Sequence, residues 1–158
     1  MAETANPLAC REGKYLSFSL AKEEYGIEIV KVKEIIGMMP ITTVPRLPAH
    51  VKGVINLRGK VIPVIDLRLK FGMQEIPYTE RTCIIISEVA DDSGSNLIGV
   101  VVDSVSEVLN VKTADLEERP NFGVRLDTDY ILGMAKLSGG LKILMDIDKV
   151  VGSENLTV

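Results

Sequence analysis

The sequence predicts an all-β fold with a few short helices, on three observations. Apolar residues make up 46% of the 158-residue chain but aromatics only 4%, with no Trp, so Val, Ile and Leu must build the core. β-Branched residues of that kind favour extended backbone. Alternating apolar and polar residues recur in about nine or ten short runs bounded by Gly, Pro, Asn and Asp, while helical spacing is confined to a few brief segments. At this length the expectation is one compact domain, which buries roughly two-thirds of its unfolded surface.

Taken in order, residues 1–13 read as a disordered leader, 14–151 as the domain and 152–158 as a tail. The alternation in 15–20 and 25–29, around the polar turn 21–24, predicts a hairpin. Residues 30–36 place Val32, Ile35 and Ile36 at helical spacing and predict one helical turn stopped by Gly37. Residues 39–44 read as a strand, and Pro45-Arg46-Leu47-Pro48 as a stiff exposed loop. Two apolar runs within 51–67 flank Asn56-Leu57-Arg58-Gly59, which suits a type I turn with a bulge and Gly59 at positive φ. Asp66 sits where an N-cap belongs, ahead of a short helix ending near Lys70 and Gly72.

Residues 81–89 predict a strand and 90–96 a polar loop. Residues 97–111 predict two strands with a bend at Asp103-Ser104, and 113–118 a short capped helical turn. An irregular loop, 119–123, precedes a closing hairpin, 130–137 and 141–147, turned by Ser138-Gly139-Gly140. Residues 148–151 predict a short last helix. There is no repeat of 20–50 residues and no low-complexity block. A short leader after Met1, and Val158 close behind the last element, are what a complete small protein would have.

Eighteen basic against 22 acidic residues give a net charge of −4 without a basic block, so nucleic-acid binding has no basis. Apolar runs such as Ile84-Ile85-Ile86 fall far short of the ~20 residues that span a bilayer, and a soluble protein follows. Cys10, Cys83 and the single His50 supply neither a disulfide framework nor a zinc site. A reducing cytoplasm fits that usage. Asp66, Asp103, Asp146 and Asp148 all follow apolar runs, where strand ends could gather them round Mg²⁺, but Asp66 and Asp148 occupy N-cap positions and Asp103 a bend, roles that explain them better. No nucleophile motif lies near His50, and Ser138-Gly139-Gly140 lacks the setting of a phosphate loop. What folding leaves unexplained is Leu57 and Arg58 at a turn tip, Glu34 beside Ile35 and Val32, and Phe122 in a loop.

Those residues belong to a series: Tyr25-Gly26-Ile27-Glu28-Ile29, Val32-Lys33-Glu34-Ile35, Gly53-Val54-Ile55-Asn56-Leu57-Arg58-Gly59 and Pro63-Val64-Ile65-Asp66-Leu67-Arg68. It continues through Gly99-Val100-Val101-Val102-Asp103 and Tyr130-Ile131-Leu132-Gly133-Met134. The series resembles the CheW-like chemotaxis coupling (adaptor) proteins. The resemblance implies two five-stranded SH3-like or OB-like β-barrel lobes about a shared hydrophobic seam. It also implies a non-catalytic adaptor that needs no cofactor or metal, works in the cytoplasm at membrane-associated receptor arrays, and does not insert into the membrane. The implied partners are the signalling tips of chemoreceptors (methyl-accepting chemotaxis proteins) and the regulatory domain of the histidine kinase CheA. Carried over by position, Val32, Glu34, Ile35, Gly53, Arg58, Val102 and Val105 would line a receptor groove between the lobes. Leu57 and Phe122 would face the kinase.

Overall fold

The computed structural model describes residues 12–91, 94–117 and 130–152. The first hairpin forms as expected: β1 (Gly13–Leu20) pairs antiparallel with β2 (Glu23–Glu28). Ala21 and Lys22, at φ of 50° and 71°, turn it in the left-handed conformation that matches strand twist.

The next segment departs from the sequence reading. Only Ile29–Lys31 is helical, as one 3₁₀ turn, and β3 (Val32–Gly37) follows, paired antiparallel with a later strand. Helical spacing among three apolar residues was outweighed by a neighbouring strand that offers a ladder along the segment. The strand expected at 39–44 is reduced to one bridge between Thr42 and Val54.

The central hairpin joins β4 (Val51–Leu57) to β5 (Lys60–Asp66). Its turn is tighter than predicted. Leu57 pairs with Lys60, and Arg58 as well as Gly59 takes positive φ, 51° and 88°, as in a type I′ turn. Asp66 caps the helix α1 (Leu67–Lys70), accepting the Arg68 N–H at 2.9 Å. β6 (Cys83–Asp91) and β7 (Gly94–Val102) pair as far as Asp91 and Gly94, so strand occupies much of the expected polar loop. After the bend at Asp103 comes β8 (Ser104–Val111), then a 3₁₀ turn, Thr113–Asp115, and the short β9 (Leu116–Glu117). β10 (Ile131–Leu137), β11 (Gly140–Met145) and α2 (Ile147–Gly152) close the chain's described part.

The strands form two sheets, one of six in the order β8-β1-β2-β11-β10-β9 and one of five in the order β3-β6-β7-β5-β4. The sixth strand of the larger sheet is the two-residue β9. Each sheet is rounded off by the chain leaving one edge strand. Beyond β3, Thr42 exchanges two backbone hydrogen bonds with Val54 of β4, at 2.8 and 2.9 Å. Beyond β8, β9 pairs with β10. A first lobe is thus built on β1, β2 and β8–β11, and a second on β3–β7.

The lobes trade strands. The chain crosses from the first to the second between β2 and β3, and back again between β7 and β8. They also share one plan. Residues 51–70 and 131–150 each give a hairpin bulged at the same place, whose second strand pairs in parallel with a strand of the lobe's other hairpin and leads into an aspartate-capped helix. β4 and β10 have identical patterns of burial.

Three apolar clusters follow. Tyr15, Leu109, Val111, Leu116, Ala135 and Leu144 fill the first lobe, and Ile55, Ile62, Val64, Ile84, Ile86 and Val101 the second. The third and largest lies between them, with Leu16, Phe18 and Ile27 from one side meeting Ile85, Val100 and Val102 from the other. This is the shared seam, and it explains the unbroken Ile and Val runs. A strand buried on both faces has no polar side to alternate. Phe18, Tyr25, Phe71 and Tyr130 stack in series here, with centroids 5.8, 6.4 and 5.0 Å apart. No helix of the described residues is long and apolar enough to cross a membrane.

Candidate functional site

Residues that sit directly opposite in a ladder point to the same face. Val32 opposes Ser87 and Ile35 opposes Ile85, so the bulge between them returns both to the seam side of β3. In the first lobe, Val105 opposes Phe18 and Val108 opposes Leu16, again on the seam side. Val32 and Val105 are half-buried against the seam cluster, while Ile35 and Val108 are 41% and 52% exposed. The two crossovers therefore present matching apolar pairs, one buried and one open. Sequence reading singled out Val32, Ile35 and Val105 but missed Val108. The signal was the symmetry of the lobes, which shows only once the strands are paired.

Arg58 stands at the tip of the β4–β5 turn. A non-glycine residue in the left-handed region costs on the order of 1 kcal/mol, so the sequence displays this side chain at some expense. Its guanidinium pairs with the Glu34 carboxylate on β3. The pair binds the second lobe's hairpin tip to the strand carrying Ile35. Gly59 N–H donates to Asn56 Oδ1 at 2.9 Å, which fixes the turn.

Two expected groove residues lie elsewhere. Val102, 1% exposed, is inside the seam and cannot touch a partner on its margin. Gly53 is buried at φ 141°, and a Cβ there would overlap the Thr42 carbonyl. It permits the bridge that rounds off the lobe. Leu57 is half-buried against the second lobe's interior. Phe122 lies outside the described residues.

The four strand-end aspartates do not converge. Asp66 caps α1 and accepts the Tyr78 hydroxyl at 2.8 Å. Burial, followed by that bond, raises the Tyr78 pKa. Asp146, rather than the expected Asp148, caps α2: the helix starts one residue early, at Ile147, and Asp146 accepts the Asp148 N–H at 3.0 Å. Asp103 receives the Arg68 fork, Nε and Nη2 each at 2.8 Å, and the Ala21 N–H at 2.9 Å. Burial opposes its ionisation, but these donors prevail and hold the carboxyl below its ordinary range. Asp148 pairs with Lys31 at 2.8 Å, and that hydrogen bond raises the lysine's pKa. Among the described residues no three acids, histidines or cysteines gather as metal ligands would. This geometry offers an apolar margin with a charged tip, suited to docking.

The family model described as "CheW-like domain" matches residues 14–155. The chain is 41% identical over 145 residues to the chemotaxis protein CheW of Klebsiella aerogenes, covering 92% of this chain and 85% of the relative. It is 32% identical over 154 residues to the chemotaxis protein CheW of Rhizobium meliloti, covering 98% and 97%. The crystal structure of the scaffolding protein TtCheW from Thermoanaerobacter tengcongensis is similar with a TM-score of 0.80 at 34% identity, covering 92% of this chain and 98% of that one.

Proposed function

Because the chain belongs to the CheW-like domain family and is a chemotaxis adaptor, we propose that it couples chemoreceptor signalling tips to the regulatory domain of the histidine kinase CheA without catalysing a reaction. The observation that carries this reading is Arg58, held in a left-handed turn and paired with Glu34 beside the apolar seam margin. A receptor tip, as a helical hairpin with an apolar ridge, would lay that ridge along Val32, Ile35 and Val105, with Val108 as a further contact. Glu34 and Arg58 would set its orientation. Val102 packs in the seam behind Val32 and Val105, and Gly53 permits the Thr42 bridge that closes the lobe carrying Arg58. Leu57 and Phe122 would make the second, kinase-facing contact. As a partner of receptor tips and kinase, the adaptor would work in the cytoplasm at membrane-associated receptor arrays.

The test is capture by the full chain of a receptor-tip hairpin and a CheA regulatory domain, singly and together. Each is expected to bind alone, and both at once. Capture of neither overturns the reading.

A further inference from the structure

Both proposed groove walls begin at a crossover between lobes, and each crossover is pinned by an ion pair whose carboxylate also takes a backbone N–H. At the β7–β8 crossover, Asp103 takes the Arg68 fork from α1 of the second lobe, with both contacts at 2.8 Å. The same carboxylate accepts the Ala21 N–H from the first lobe's hairpin turn at 2.9 Å, and Asp103 N–H donates to Ser19 O at 3.1 Å. At the β2–β3 crossover, Lys31 meets Asp148 on α2 of the first lobe at 2.8 Å. Asp148 in turn accepts the Ala90 N–H from the second lobe's hairpin at 3.1 Å. The wiring is the same with the charges exchanged: carboxylate on the crossover and cation on the helix in one case, the reverse in the other. Asp103 stands between Val102 and Val105, and Lys31 directly precedes Val32.

We propose that Asp103 and Asp148 are paired latches that fix the angle between the lobes and so position the two walls of the docking groove. The proposal rests on the docking reading above. Asp103 is the stronger latch, because its partner is a two-pronged guanidinium and the pair is better shielded: Arg68 and Asp103 are 14% and 23% exposed, Lys31 and Asp148 28% and 30%. A pair serving one lobe alone would not take its backbone donor from the other.

The test uses the full chain with Cys10→Ala and Cys83→Ala, and spin labels on Lys60→Cys and Lys136→Cys, one exposed site in each lobe. Inter-lobe distance is read by double electron–electron resonance, and receptor-tip affinity is measured on unlabelled counterparts. Asp103→Asn should shift or broaden the distance distribution and weaken binding on the order of tenfold. Asp148→Asn should do both to a smaller extent. The exchange Arg68→Asp with Asp103→Arg should return both readouts toward the parent. If Asp103→Asn does not fold, Arg68→Lys keeps the charge without the fork and takes its place. Unmoved distances overturn the latches, as does full affinity in Asp103→Asn when Arg58→Glu abolishes binding. Binding that survives Arg58→Glu condemns the docking reading alone.

Discussion

At one end of the first lobe's interior, Lys142 lies 3.7 Å from Glu24, whose carboxylate also receives the hydroxyls of Ser17, Ser19 and Ser106. The register places Ile86, Leu97 and Ile62 where the first lobe has Ser17, Glu24 and Lys142, all packed in or against the second lobe's apolar core. Burial opposes ionisation of Glu24, but the serines and Lys142 outweigh it and keep its pKa low. The backbone plan tolerates either filling provided each polar group has its partner. The turn tips differ in the same manner, with Arg58 in one and Ser138 in the other.

Exchanging the fillings breaks the comparison most severely. Ile62→Lys puts an unpaired charge into an apolar interior and should cost about 3–5 kcal/mol in urea unfolding. Lys142→Met leaves Glu24 its hydroxyl donors and should cost no more than about 1 kcal/mol. Equal losses would mean that the lobes are not alternative fillings of one plan.

Smaller effects are expected where the parallel pairings force close approach. A Cβ on Gly99 would lie 2.9 Å from the stiff Ile84 Cγ2 and 3.4 Å from Val64 Cγ2, whereas one on Gly26 would meet the end of Leu144 at 3.0 Å. Gly99→Ala should therefore cost about 1–3 kcal/mol and Gly26→Ala less, because a leucine can turn aside. The reverse order in denaturant midpoints would count against the shared register.

The latches should part company with pH. The native Asp103 pKa is lowered, so its stabilisation is present above the ordinary aspartate range and is lost as pH falls through the lowered value. The native Lys31 pKa is raised, so its contribution holds below the ordinary lysine range and is lost as pH rises through the raised value. Stability differences from the parent should shrink below about pH 4 for Asp103→Asn, and above about pH 10 for Lys31→Gln. Unfolding curves across pH check both.

Much of the fold was legible because strand alternation, Asp66 as a cap and the bend at Asp103 are local signals. β3 was misread because its three apolar residues fit a helical period and the deciding partner, β6, is about fifty residues away. The duplicated plan is faint in the sequence because identity repeats only at scattered positions, Gly53 with Gly133, Leu57 with Leu137 and Asp66 with Asp146, while Ile55 matches Ala135 and Asn56 matches Lys136. For the site, Glu34 and Arg58 were legible as unexplained charges and pair with each other in the fold, but Val102 was indistinguishable from a surface valine until its strand proved buried on both faces.

The central claim, that the Arg58–Glu34 tip and the seam margin form a docking surface, is tested most directly by titrating a receptor-tip hairpin into the parent and Arg58→Glu by calorimetry. Exposed pairs contribute little to folding, so the melting temperature should stay within about 2 °C while affinity falls on the order of tenfold or more. Unchanged affinity in a folded Arg58→Glu protein would contradict the account.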